Sequence, residues 1–178
     1  CTVSRNGDLA YRTYLQVTLP EISSGSDNLY ARWLDFPGEH LIEQVEVEIG
    51  GQKIDLHTGV WMEVWAELTQ PNPSGKVGVS EGTAAPTGTT FQNMSGMGGC
   101  GSSAGSTRHF VPLQFWFCRN PGLALPLIAL QYHEVKIILN TGIFTGGSVP
   151  QLWCDYIYLD TDERRRFAQV SHEYLIEQ

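Results

Sequence analysis

With 178 residues, 42% of them hydrophobic and 17% charged, the chain has enough apolar material for one packed domain and lacks the composition of a disordered segment. A formal net charge of -8 argues against a general nucleic-acid binder, which needs a basic face to displace counterions from phosphates. The five Trp, seven Tyr and seven Phe favour broad, half-buried pleated sheets.

Leu9, Tyr11, Thr13, Leu15, Val17 and Leu19 alternate with Ala10, Arg12, Tyr14, Gln16 and Thr18, and this period of two predicts a strand that Pro20 ends. Val45, Val47 and Ile49 alternate with Gln44, Glu46 and Glu48. Gly50-Gly51 then offers the positive φ angles of a two-residue hairpin turn, and the return strand runs through residues 52–56. Over residues 60–68 the period changes. Trp61, Val64, Trp65 and Leu68 recur at i, i+3, i+4 and i+7, which predicts a short amphipathic helix with that stripe in the core.

Residues 70–108 are rich in Gly, Ser, Thr and Pro and read as a long surface insertion, and a second Gly-rich loop covers 140–150. Further strands are expected at 109–118, 132–139 and 151–159. Asp160 is placed to cap a short helix, with Glu163 reaching back as in a capping box, before a final strand at Tyr174. Many strands, long loops and no alternating βαβ pattern point to an all-β fold, a jelly-roll β-sandwich of two antiparallel sheets with short helices.

Cys1, Cys100, Cys118 and Cys154 form no C-x-x-C pair and read as free thiols in a reducing compartment, with Cys118 and Cys154 inside apolar strands. No apolar run reaches membrane-spanning length and no signal pattern opens the chain, so a soluble protein is expected. A start at Cys1 and an end inside an expected strand read as a piece of a longer frame, one domain over 1–178 truncated at both ends.

Chemical motifs fail on context. Gly96-Met97-Gly98-Gly99-Cys100-Gly101 satisfies G-x-G-x-x-G without the strand and helix that a dinucleotide site needs, and Gly101-Ser102-Ser103-Ala104-Gly105 satisfies G-x-S-x-G without a nucleophile elbow. His40, His57, His109, His133 and His172 are scattered singly and read as structural. Asp160-Thr161-Asp162, with Asp155 nearby, is explained by helix capping, and Arg164-Arg165-Arg166 by local pairing with its acidic neighbours. No catalytic, cofactor-binding or metal residue is assigned. Asn93-Met94-Ser95 makes Asn93 a candidate glycosylation site.

Ser4-Arg5-Asn6-Gly7-Asp8-Leu9, the run Glu43-Gln44-Val45-Glu46-Val47-Glu48-Ile49-Gly50-Gly51-Gln52-Lys53-Ile54-Asp55, the stretch opening Phe115-Trp116-Phe117-Cys118-Arg119-Asn120-Pro121-Gly122, and residues 159–178 together carry a resemblance. In that order they resemble the major capsid protein family of the nucleocytoplasmic large DNA viruses. The resemblance implies the first half of a double jelly roll, assembled as a homotrimer into pseudo-hexagonal capsomers of an icosahedral shell. It further implies neighbouring capsomers, minor capsid proteins and an inner viral membrane as partners, assembly in the host-cell cytoplasm, and no enzymatic activity, cofactor, nucleic acid or small-molecule substrate. By the same resemblance the 70–108 insertion would face outward. The competing readings are a cellular jelly-roll module that binds or cleaves carbohydrate, exposing Trp33 or Trp153 in a groove, and a minor capsid or scaffold homologue.

Overall fold

The structure, a computed structural model, describes residues 1–23, 25, 33, 37–71, 103–104, 106–142 and 149–176. Nine strands and four α-helical segments are found among them: β1 Leu9–Leu19, β2 Ile22–Ser23, α1 Pro37–His40, β3 Ile42–Ile49, β4 Gln52–His57, α2 Gly59–Thr69, β5 Ser103–Ala104, β6 Thr107–Pro112, α3 Trp116–Arg119, β7 Leu125–Pro126, β8 Val135–Thr141, β9 Gln151–Ile157 and α4 Thr161–Gln169. A single 3-10 turn, Pro121–Leu123, follows α3.

The strands form two main antiparallel sheets facing each other, with β2 and β5 as a separate two-stranded pair. In the first sheet β1 is central. Tyr14 to Leu19 pair with β6 and Leu9 to Ala10 with β7 on one edge, while β9 runs along the other. In the second sheet β3 lies between β4 and β8, and the start of the chain adds to β8 through Val3 N–H to Val135 O (2.9 Å) and Ile137 N–H to Cys1 O (2.8 Å). Leu15 and Val17 from one sheet meet Val45, Val47 and Ile137 from the other, and Phe115, Phe117 and Met62 close the core. This is the expected jelly-roll sandwich, with side chains from both inner faces interdigitating.

The strand expected at 9–19 has those bounds, and its alternation holds except at one bulge. Between Ala10 and Thr13 the pairing with β9 shifts, so Ala10 is buried and Tyr11 only half-buried. Gly50 and Gly51 take φ of 59° and 83°, the two positive angles that the hairpin joining Ile49 to Gln52 requires.

Five expectations need correction. The helix at 59–69 exists, but it buries Gly59, Met62 and Ala66; Val64 and Leu68 are 53% and 78% exposed, and Trp61 and Trp65 half-buried. Met62 fills the core more fully than the predicted stripe, because β4 and Thr58 fix the helix's entry angle. The strand expected at 109–118 stops at Pro112, and Phe115 begins a helical turn closed by Cys118 N–H to Phe115 O (2.9 Å), which places Cys118 in α3. A short apolar run does not distinguish strand from buried helix. Tyr132 and His133 form a turn and bend, and β8 starts only at Val135. Tyr174 and Ile176 point inward with a period of two, yet no described strand pairs with them. The 70–108 segment ends in strand, since β5 and the start of β6 lie within it, while residues 72–102 are outside the described residues.

Candidate interaction site

Asn93 and the G-x-G-x-x-G string lie outside the described residues, while Ser103, the serine of the G-x-S-x-G string, lies in β5 paired with Ser23 of β2, a strand position and not a nucleophile elbow. Among the described residues no three His, Cys, Asp or Glu side chains gather as metal ligands. His40 and His133 are exposed; burial lowers the pKa of half-buried His109; and His172 Nε2 lies 2.8 Å from Phe167 O. Burial pushes the Cys118 thiol up to about 12 and that of Cys154 up to about 11, so both stay protonated and behave as apolar side chains.

Asp160 Oδ1 accepts the Glu163 N–H at 2.8 Å, as the capping argument requires. Glu163 itself does not complete a capping box: its carboxylate pairs forward with Arg166 at 2.9 Å. Of the basic run, Arg166 pairs locally, with Glu163; Arg164 instead reaches across the fold to Asp8 at 3.0 Å, a partner 156 residues away.

Asp8 belongs to the Ser4-Arg5-Asn6-Gly7-Asp8 motif, whose members tie four parts of the chain together. Ser4 Oγ lies 2.8 Å from Tyr156 Oη, and Asn6 O accepts the Tyr158 hydroxyl at 2.8 Å. Arg5 donates to Leu130 O and His133 O at 2.8 and 3.1 Å, holding the turn before β8. Gly7 packs so closely on Tyr156 that a Cβ there would sit 2.6 Å from the Tyr156 Cβ and 3.1 Å from its ring. Asp8 accepts the Leu159 N–H at 2.8 Å, and chiefly this bond, with Arg164, holds its carboxyl below the usual value. The side chains of Ser4, Arg5 and Asp8 and the Asn6 carbonyl thus all have architectural partners.

The feature that sequence reading missed starts at β4. Ile54 and Leu56 suggest the inward face, but the buried residues are Asp55 and His57. His57 Nε2 lies 3.2 Å from Asp55 Oδ2, and its ring is stacked between Phe115 (4.7 Å, 20°) and Trp61 (4.0 Å, 21°). Thr58 Oγ1 accepts the Trp61 N–H at 3.3 Å and starts α2 at that point. Trp61 stacks on Trp65 at 5.5 Å, and the Arg119 guanidinium sits 4.1 Å from the Trp65 centroid while its Nε donates to Gln114 O at 3.1 Å. A continuous pile of rings thus runs from the core to an arginine at the surface.

Arg119 and Trp65 form one wall of a cleft of about 570 Å³ whose other wall is β1 at Arg12, Thr13 and Tyr14. Hydrogen bonding to the side chains of Tyr11 and Tyr14 raises the Arg12 pKa and keeps it a fixed cation. A second, apolar slot of about 300 Å³ lies between the sheets at Leu15, Val45, Ile137, Leu139 and Leu152. Trp153 is 54% exposed on β9 with its Nε1 donating to Gln16 at 2.9 Å, and it lines neither cavity; Trp33 is half-buried. The groove that the carbohydrate-binding reading needs around these tryptophans is therefore not formed by Trp153.

A family model described as "Major capsid protein N-terminus" matches residues 1–160. The chain is 51% identical to the major capsid protein of Phaeocystis pouchetii virus, a match that covers 100% of this chain and 42% of that protein. Among solved structures it is similar to the crystal structure of PBCV-1 VP54, with a TM-score of 0.75 at 35% identity, covering 98% of this chain and 41% of the other. A chain of a quasi-atomic description of the PBCV-1 virus capsid gives a TM-score of 0.74 at 34% identity, with the same two coverages of 98% and 41%. The chain spans less than half the length of these relatives.

Proposed function

Because the chain belongs to the major capsid protein N-terminus family, we propose that it is the first jelly roll of a major capsid protein whose complete form trimerises into pseudo-hexagonal capsomers and builds the icosahedral shell of a large double-stranded DNA virus. The observation that carries this reading is the match over residues 1–160 together with a superposable sandwich fold. Its role is assembly, not catalysis. The architectural use of the Ser4 to Asp8 motif and the neutral buried thiols support that role, since the chain's most distinctive residues go to holding its shape.

The partners in this proposal are further copies of the chain, neighbouring capsomers and minor capsid proteins, above an inner viral membrane, with assembly in the host-cell cytoplasm. Nucleic acid and small-molecule substrates have no place in it, in keeping with the net charge of -8. Residues 1–178 act as one N-terminal jelly-roll domain. The 70–108 insertion supplies its outward decoration, and Asn93 is the acceptor there if the shell is glycosylated.

The test is imaging of the purified product of the complete reading frame by negative-stain electron microscopy. Trimeric, hexagon-like particles or flat hexagonal arrays are expected; monodisperse particles the size of a single chain at high concentration would refute the proposal.

A further inference from the structure

α2 is apolar around most of its circumference. At about 100° per residue, Met62 and Ala66 face the sandwich, while Val60, Val64 and Leu68 succeed one another along the far side with Trp61 and Trp65 beside them. Those three aliphatic residues are 66%, 53% and 78% exposed, and the helix's only carboxylates are Glu63 and Glu67. A helix apolar on both sides is ordinarily covered on both, and a contiguous exposed apolar patch marks an interaction site.

The apolar stripe adjoins the arginine cleft through Trp65. Among the described residues lining that cleft are Arg12 and Arg119 and no carboxylate, although the chain as a whole carries a net charge of -8. Most of the surface a second copy could present is therefore electrostatically complementary to this one place. The composition also fits: tryptophan and arginine beside exposed aliphatics is the pattern of residues that carry binding energy at the centre of protein interfaces.

We propose that the outward face of α2 and the adjoining arginine cleft form a contact surface for a second copy of this chain, with Val60, Val64 and Leu68 buried against the neighbour and one of its carboxylates set between Arg12 and Arg119. The proposal rests on the capsid-building reading and deepens it by naming the surface. The neighbour would extend the stack that begins at Phe115, so that core and contact share one pile of rings.

The test uses the complete reading frame. The substitution Val64→p-benzoylphenylalanine places a photocrosslinker in the stripe, and Tyr132→p-benzoylphenylalanine, at a site 94% exposed elsewhere, serves as the control. Irradiation is expected to give covalent dimers from position 64 and far fewer from position 132. In parallel, Leu68→Asp, at a side chain too exposed to matter for folding, is expected to weaken self-association about tenfold or more. Crosslinks confined within single chains, or self-association unchanged by Leu68→Asp in a protein that otherwise assembles, would overturn the surface and leave the capsid reading standing. A wild-type protein that never self-associates would overturn both.

Discussion

Asp55 Oδ2 lies 3.2 Å from His57 Nε2, and both side chains are almost wholly enclosed, at 2% and 3% exposed. Two residues apart on one strand, they share the inward face, and the imidazole is held in register by Trp61 above and Phe115 below. Asp55 Oδ1 also accepts the Leu56 N–H at 2.8 Å. Changing His57 to Phe keeps the stack but removes the imidazole that stands 3.2 Å from the buried carboxylate, a close contact although not an aligned hydrogen bond, and leaves Asp55 with the Leu56 N–H. The expected cost is about 3 kcal/mol, read from chemical denaturation of the folded protein. The double variant Asp55→Leu/His57→Phe should recover part of that loss, and a double variant as unstable as the sum of the singles would show that the pair does not interact.

That pair also marks where the sequence stops being legible. The strand at Leu9–Leu19 and the Gly50-Gly51 hairpin were readable because period and turn chemistry are local properties. β4 was not, since Ile54 and Leu56 mimic an inward face while the register shift in the pairing of β3 with β4, between Val47 and Glu48, helps decide which side faces the core. α2 misled for a related reason. Its Trp61, Val64, Trp65 and Leu68 spacing is truly helical, but the helix has two apolar faces, and only the position of Thr58 and the close fit of Gly59 select the one with Met62. The arginine cleft joins Arg12 to Arg119 across more than a hundred residues, and no local pattern announces such a pairing.

Gly59 meets α1 and the start of β3 so closely that a Cβ there would stand 2.0 Å from Glu39 O and 2.6 Å from Ile42 O, both backbone atoms. Gly59→Ala therefore forces α2 away from the sandwich, with an expected loss of about 3 kcal/mol or more. A melting temperature within a degree or two of the parent would contradict this packing.

The hairpin glycines should differ from each other. Gly51→Ala meets open space and carries only the penalty of φ 83°, about 1 kcal/mol. Gly50→Ala has a φ of 59° and would also bring Cβ to 2.7 Å from His133 Nδ1, so it should be the more damaging of the two. Thermal denaturation of both variants, measured side by side, checks the order.

Asp8 gives the fold a defined acid limb. Its folded-state pKa lies below the ordinary value of 3.8, chiefly through the Leu159 N–H. The stabilisation is therefore fully present above pH 3.8 and fades as the pH falls through the lower folded value. Asp8→Asn should lose about 1–2 kcal/mol at pH 7 and show a shallower decline than the parent as the pH falls below 3.8. Parallel acid-unfolding curves would contradict the anchoring role of Asp8.

Leu15 is 4% exposed in the middle of β1 and packs toward the opposite sheet. An unpaired carboxylate there, from Leu15→Asp, should cost several kcal/mol and abolish soluble, folded protein. A normal yield with native circular dichroism would refute the inward register of β1.

The central claim is that this chain builds a shell from copies of itself. Light scattering coupled to size-exclusion chromatography, applied to the product of the complete reading frame, tests it most directly. The account predicts a mass three times that of the single chain, maintained on dilution. A mass equal to one chain across the accessible concentration range would contradict it.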